Sequence, residues 1–391
     1  MRTQVAIVGA GPAGLMLAHL LSLDGIDSIV IESRTRPYVE QRVRAGVLEQ
    51  GSADLLDATG AGARMRSEGL VHHGIQLRFG GADHRIDFGD LTGGRGITVY
   101  GQQEIVKDLI AIRLSEGHPI FFEVSDVELH DIDSDQPSVS FLLDGASNAI
   151  ECDIIAGCDG FHGVSRESIP AGVLTTYERE YPFAWLGILA SIAPSSEELI
   201  YCYHERGFAL LSMRSPAVSR LYLQVRADER IGDWPDSRIW EELHVRLAAE
   251  AWSLAEGPVT EKGISAMRSF VVEPMQYGRL FLSGDAAHIV PPTGAKGMNL
   301  ALRDVSVLAH AVGSFYTSGD TRLLDEYSTN CLRRVWRAQH FSWWMTSMLH
   351  RFPDSDAYQA RLQLAQLAYT VDSRAASTSV AENYVGYEWT T

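Results

Sequence analysis

An apolar run, Val5-Ala6-Ile7-Val8, breaks into Gly9-Ala10-Gly11-Pro12-Ala13-Gly14 and continues as Leu15-Met16-Leu17-Ala18; a second run, Ile29-Val30-Ile31, ends in Glu32. No other stretch so narrows the folds open to this chain. A strand short enough to be buried in a parallel sheet ends at Gly9, which permits a tight turn. Gly11 lets backbone approach a pyrophosphate, and Gly14 lets the following helix pack on the strand. That helix starts with free N–H groups and the positive end of its dipole, and Glu32 is placed to accept hydrogen bonds from ribose hydroxyls. A glycine-rich turn alone says little, but strand, glycines, helix, strand and terminal acid in this order read as a dinucleotide-binding βαβ unit. The motif does not choose between NAD and FAD.

The chain has 391 residues, enough for two or three domains, and its 46% hydrophobic content is ordinary for a folded protein. A formal net charge of -17 disfavours nucleic acid and anionic membranes as partners, so an anionic substrate must be drawn in by a local group of cations. Cys152, Cys158, Cys202 and Cys331 have neither CxxC nor Cys/His spacing, so no metal site or redox dithiol is expected and a reducing, cytoplasmic setting fits best. The first residues enter a strand with no basic n-region, and no apolar run approaches the ~18 residues of a membrane span, which predicts a soluble, unexported protein.

No repeat, low-complexity tract or linker marks a domain cut, so interleaved domains are expected. After Glu32 come Arg34, Arg36, Arg42 and Arg44, which are either a solvated loop or cations that neutralise cofactor phosphates. A helix through Leu55 and Leu56 follows; strands between 75 and 99 turn at Gly80-Gly81 and Gly93-Gly94, and a helix runs from Gln102 to Ser115. Two further strands run into glycines, at Ile154-Ile155-Ala156-Gly157-Cys158-Asp159-Gly160 and at Leu280-Phe281-Leu282-Ser283-Gly284-Asp285. Any one of the three junctions is an ordinary turn in an α/β protein. Together they suggest an extended cofactor touched at several points and favour FAD.

Residues 207–214 and 219–226 read as two strands joined by a short loop containing Pro216, with even positions sharing a face. Symmetry about Ala217 would set Arg214 opposite Arg220 and Ser212 opposite Tyr222. Opposed cations are unfavourable unless an anion compensates them, which suggests a carboxylate site rather than a plain polar face. Tyr201 on the preceding strand adds another phenol. From Met298 on the chain is mostly helical, and Trp336, Trp343 and Trp344 are too many for an exposed face; they read as core or subunit interface.

The fingerprint with Glu32, the Gly157-Cys158-Asp159-Gly160 segment and Gly284-Asp285-Ala286-Ala287-His288 together resemble the single-component flavin-dependent aromatic hydroxylases. Arg44-Ala45-Gly46-Val47-Leu48-Glu49-Gln50-Gly51, the segment 291–299 and Phe341-Ser342-Trp343-Trp344-Met345 extend the similarity from Val5 to about Gly386. The resemblance implies an α/β fold with a Rossmann-like FAD-binding domain (1–73, 98–179 and 267–297), an interleaved β-sheet substrate domain (74–97 and 180–266) and a helical interface region (298–391) that forms a homodimer. It implies hydroxylation of 4-hydroxybenzoate at position 3 to 3,4-dihydroxybenzoate, with NAD(P)H reducing the flavin and O2 adding to give a hydroperoxide.

Carried over residue by residue, the resemblance has Ser212, Arg214 and Tyr222 hold the substrate carboxylate, Arg214 as bidentate partner. Tyr201 would hydrogen-bond the 4-hydroxyl, Tyr384 would relay its proton and His72 would release it near neutrality. Pro292 and Thr293 would border the reacting edge, and Arg220 would help stabilise the anionic reduced flavin. Gly9, Gly11, Gly14, Glu32, Arg42, Arg44, Gln102, Asp159 and Asp285 would lie along FAD, with Met298 and Asn299 at the pyrimidine end of its ring. There a helix N-terminus near Gly297, with Lys296 beside it, would stabilise negative charge. Arg34, His162, Arg166 and Arg268 fall where the family meets NAD(P)H transiently. Around 33–42 the arginines suit a 2′-phosphate while Glu40 opposes one, a slight preference for NADPH.

Cys202-Tyr203, Leu211 and Met213 depart from the family forms beside the substrate residues, which keeps 4-aminobenzoate and 3,4-dihydroxybenzoate as alternative substrates. A flavin disulfide reductase would need a cysteine pair at the flavin, and a flavin halogenase a WxWxIP signature. A non-catalytic dinucleotide-binding regulator would leave Tyr201, Ser212, Arg214, Arg220 and Tyr222 unexplained.

Overall fold

The computed structural model describes residues 1–42 and 46–388. β1 (Val5–Val8), α1 (Pro12–Leu23) and β2 (Ser28–Ile31) form a βαβ unit whose strands run parallel, Val5 beside Ser28 and Val8 beside Ile31. Every residue of both strands is buried, as in parallel sheets covered on both faces. The hairpin β3 (Gly74–Phe79) and β4 (Ala82–Asp87), α2 (Gln102–Ser115), β5 (Ile120–Phe121) and β6 (Ile154–Gly157) follow. Next come β7 (Thr175–Ala190), β8 (Ile200–Cys202), β9 (Ala209–Ser215), β10 (Val218–Arg226) and β11 (Val259–Glu273). After β12 (Gln276–Tyr277), β13 (Leu280–Leu282) and β14 (His288–Ile289) come the helices α3 (Gly297–Ser318), α4 (Tyr327–Leu349), α5 (Ala357–Asp372) and α6 (Arg374–Val385).

Two sheets organise these elements. The first has the order β12-β13-β6-β1-β2-β5, with β13, β6, β1, β2 and β5 parallel. The three glycine junctions therefore lie side by side at its carboxyl edge, where open α/β sheets bind ligands. The second has the order β14-β11-β7-β10-β9-β8-β3-β4 and is antiparallel except where β8 meets β3. β7 and β11 pair from Thr175 with Glu273 to Ala190 with Val259, so the junctions expected at 179/180 and 266/267 fall inside continuous strands.

One segment differs from its sequence reading. Between β4 and Gly93 lies a short helix, Phe88–Thr92, where only strands were expected. The Asp87 carboxylate accepts the Asp90 N–H at 2.8 Å and so caps a helical turn, which Gly93 ends at φ 72°. On β9 and β10 the side chains alternate as expected: Leu211, Leu221 and Leu223 pack against Ile239 and Leu243 of the helix Asp236–Arg246, while Leu210 and Tyr222 face α4 and α6. Among the described residues no helix is long and apolar enough to cross a membrane.

Candidate active site

The β9–β10 hairpin pairs Ser212 with Arg220 and Leu210 with Tyr222, and its register shifts between Met213 and Ser215. The expected pairs, Arg214 with Arg220 and Ser212 with Tyr222, are thus displaced by two residues. The reason is a tight turn at Pro216-Ala217 with the extra residue taken up as a bulge at Arg214. The shared face survives: Ser212, Arg214, Arg220 and Tyr222 line one cleft with Tyr201, Trp185, Met213 and Pro292.

Arg214 dominates the electrostatics of that cleft. Its Nε and Nη2 are sealed from solvent and have no hydrogen-bond partner, and the same holds for Nε of Arg220. Burial, opposed by Tyr222 and reinforced by Arg220, pushes the Arg214 guanidinium down to about 10. Gly46 makes room for it, since a Cβ there would sit 2.7 Å from Arg214 Nη1. A buried guanidinium with unused donors is a receptor for a carboxylate, because leaving it unpaired is costly and two parallel N–H bonds match two oxygens.

Tyr201 on β8 is hydrogen-bonded phenol to phenol to Tyr384 on α6, and both rings are buried. Burial raises both phenols above the ordinary tyrosine value, so the pair stays protonated. α6 thus brings the end of the described chain over the cleft. His72 is buried, its imidazole pKa lowered by that burial and its Nδ1 without a partner; no hydrogen bond joins it to Tyr384.

The carboxyl edge of the first sheet forms a second groove. Gly9 has φ 107° and its missing Cβ would lie 2.4 Å from the Cys158 carbonyl oxygen, so the loops after β1 and β6 touch. In front of the uncapped N-terminus of α1, by contrast, a Cβ on Gly11 would meet nothing within 4 Å. The Glu32 carboxylate accepts the N–H groups of Ala10 and Arg34, each at 2.8 Å. Asp159 accepts the Ser165 N–H and hydroxyl through Oδ2 at 2.9 Å, while its Oδ1 is buried without a partner; burial holds its pKa up. Gln102 opens α2 and Asp285 is exposed on the turn after β13. Open space in front of a helix N-terminus, an acid at the end of β2 and an orphaned carboxylate oxygen fit a dinucleotide.

At the start of α3 Met298 and Asn299 are in place, but the Asn299 side chain is fully engaged, accepting from Glu49 N (2.9 Å) and donating to the Val47 (2.9 Å) and Ala295 (2.8 Å) carbonyls. What remains is the backbone N–H of the helix N-terminus. Lys296 is buried and bonded to Glu49 at 2.7 Å and to the Tyr384 carbonyl at 3.1 Å. Burial would raise Glu49, but Lys296 and Arg334 outweigh it and keep the carboxylate low. Thr293 is buried with its hydroxyl 2.8 Å from that of Thr346.

Of the arginine-rich connection, Arg36 is tied to Glu40 at 2.7 Å, while Arg34 and Arg42 lie over the Tyr38 ring at 5.4 and 6.0 Å. Arg44 lies outside the described residues. His162, Arg166 and Arg268 converge on Phe161, at 4.9, 4.8 and 4.7 Å, with Arg166 also donating to the Ala286 carbonyl at 3.0 Å. Of the residues that depart from the family forms, Met213 reaches the cleft; Cys202 and Leu211 pack on the far face of the sheet. Sequence reasoning missed Trp185, although its place between Phe183 and Gly187 on an alternating strand was a usable signal.

Residues 2–342 match the family described as FAD binding domain. This chain belongs to that family. Its cofactor is FAD, and the family accounts for the three glycine junctions at one sheet edge. The p-hydroxybenzoate hydroxylase of Acinetobacter baylyi is 49% identical over 387 residues, which cover 99% of this chain and 96% of that protein. The 6-methylpretetramide 4-monooxygenase of Streptomyces rimosus is 26% identical over 321 residues, or 79% of this chain and 75% of that one. The crystal structure of p-nitrophenol 4-monooxygenase from Pseudomonas putida has the same fold, with a TM-score of 0.84 at 19% identity over 99% of this chain and 100% of that one.

Proposed function

We propose that this protein is an FAD-dependent monooxygenase that converts 4-hydroxybenzoate to 3,4-dihydroxybenzoate with NAD(P)H and O2. The observation that carries the reading is the sealed, unpartnered Nε and Nη2 of Arg214 in a cleft that also holds Tyr201. A benzoate carboxylate satisfies Arg214, with Ser212 and Tyr222 beside it, and the 4-hydroxyl meets Tyr201. FAD would be held along Gly9, Gly11, Gly14, Glu32, Gln102, Asp159 and Asp285 and would supply the redox chemistry that couples NAD(P)H to O2, one oxygen atom going to the ring and the other to water. Tyr201 and Tyr384 carry the hydroxyl proton away toward His72, and the electron density this leaves on the ring directs attack to the neighbouring carbon. Arg220 and the free N–H groups of α3 at Met298 and Asn299 face negative charge at the flavin end. Pro292 and Thr293 border the reacting edge, and Trp185, Leu210 and Met213 keep water out.

Further parts of the reading have their own supports. Trp336 and Trp343, 40% and 41% exposed and seven residues apart on one face of α4, favour a homodimer through the helical region 298–391. Four buried free thiols favour a reducing cytoplasm. Arg34 and Arg42, left unneutralised by Glu40, favour NADPH as reductant, with His162, Arg166 and Arg268 at its other end. The test is O2 uptake and product identification with NADPH or NADH and each of 4-hydroxybenzoate, 4-aminobenzoate and 3,4-dihydroxybenzoate. We expect 3,4-dihydroxybenzoate from the first; no ring-hydroxylated product from any of them would overturn the reading.

A further inference from the structure

α4 reaches the cleft without lining it. Ser342 and Thr346 lie one turn apart near its end, His350 four residues further on caps it with extended backbone, and all three are fully buried. The two partners of the His350 imidazole have roles that cannot be exchanged. Its Nδ1 lies 3.0 Å from the Thr346 carbonyl, which only accepts, so Nδ1 carries the proton; its Nε2 lies 2.7 Å from Trp185 Nε1, which only donates. Burial pushes the imidazole down to about 3, consistent with a neutral ring of fixed tautomer. Phe208 and Phe183 stack against it at 4.4 and 4.9 Å. Trp185 in turn lines the cleft and packs against Tyr222 with ring centroids 4.8 Å apart. One turn back along α4, the Thr346 hydroxyl donates to the Ser342 carbonyl at 2.7 Å and so must accept from Thr293, the neighbour of Pro292.

We propose that His350 is a positioning residue for ring hydroxylation: it fixes the tilt of Trp185 against Tyr222, and α4 ties that wall of the cleft to the Pro292-Thr293 turn. The proposal rests on reading the cleft as an aromatic-acid site. Thr346 at the end of α4 and the capping residue His350 thereby hold the turn at the reacting edge and the wall beside the carboxylate receptor, so the position of the ring between them is set from one place in the fold. A side chain at 350 that filled the same volume without an acceptor would leave the indole N–H buried and unpaired, and the indole would tilt to find another partner.

The test uses FAD-loaded protein and three substitutions. His350→Phe keeps ring volume and stacking but has no acceptor, His350→Gln offers an oxygen to the indole, and Trp185→Phe removes the donor. Two quantities are read: the Kd for 4-hydroxybenzoate from the flavin absorbance change, and product formed per NAD(P)H oxidised. His350→Phe should raise Kd about tenfold, the size of one buried hydrogen bond left unmade, and roughly halve product yield; His350→Gln should recover most of both. In a Trp185→Phe background His350→Phe should add less than about twofold, since the two act through one bond. Unchanged Kd and yield per bound FAD alongside a lower melting temperature, equal losses in the Phe and Gln variants, or additive effects in the double variant would each overturn the proposal. If wild-type protein binds 4-hydroxybenzoate without hydroxylating it, the function is misread, and the binding cycle still decides the role of His350.

Discussion

Arg214→Met separates two opposed effects of one cation. In the ligand-free protein the guanidinium has two sealed donors without acceptors, and its pKa stands at about 10 against 12.5 in water, chiefly through burial. A drop of about 2.5 units corresponds to ~3 kcal/mol at 1.36 kcal/mol per unit; the exposed part of the side chain reduces this to roughly 1–3 kcal/mol. Because the folded-state pKa is the lower one, the penalty is complete at every pH below about 10 and is relieved only above it. Methionine matches the length of the buried stem and carries no charge, so the ligand-free variant should melt a few degrees higher than wild type. Binding should move the other way. Two charge-assisted hydrogen bonds at ~1.5–3 kcal/mol each are lost, which raises the Kd for 4-hydroxybenzoate by about 10²- to 10⁴-fold. The assay is a pair of thermal melts at pH 7, without and with 4-hydroxybenzoate, beside a binding titration. A variant that melts lower than wild type without ligand, or binds the acid as tightly, would refute the argument that Arg214 is a cation waiting for a carboxylate.

Three other perturbations address the remaining parts of the site. Tyr201→Phe should still bind the acid and oxidise NAD(P)H but release peroxide instead of product; an unchanged ratio of product to reductant would remove Tyr201 from the proton path. Burial lowers the His72 pKa below the ordinary histidine value, so the neutral, proton-accepting form persists into more acid conditions than for a free imidazole before it is lost. Product yield should therefore fall on the acid side in wild type, and His72→Asn should abolish that fall; the same acid limb in the variant would mean that another group sets it. Gly11→Ala places its methyl in space where no protein atom lies within 4 Å, so the apoprotein should melt within about 1 °C of wild type while FAD affinity drops at least tenfold. An unaltered FAD titration would show that the pyrophosphate does not pass there.

The glycine junctions could be read from sequence because their demands are local: Gly9 needs a positive φ and close approach to the next loop, and a strand that stops in glycine announces both. The shared face of Ser212, Arg214, Arg220 and Tyr222 was legible for a similar reason, since a period of two survives a displacement of the register by two residues. The register itself was not, because the bulge at Arg214 depends on which turn the two strands adopt. Side-chain commitments were beyond reach wherever the competing partner lies far off in the chain. Nothing near Asn299 reveals that Val47 takes its amide, and nothing near Thr293 points to Thr346. Likewise the substitution pattern flagged Cys202, Leu211 and Met213 alike, whereas the pleat of the sheet sends the first two away from the cleft.

The bond between Tyr201 and Tyr384 spans 183 residues of chain. Every strand of both sheets, the Arg214 cleft wall and the glycine junctions lie before α4, so during synthesis the residues proposed to hold ring and flavin leave the ribosome ahead of the phenol proposed to take the proton. α6 docks last, through the Tyr384 phenol and the Lys296 bond to the Tyr384 carbonyl, so the proton path proposed above is complete only once the end of the chain is in place.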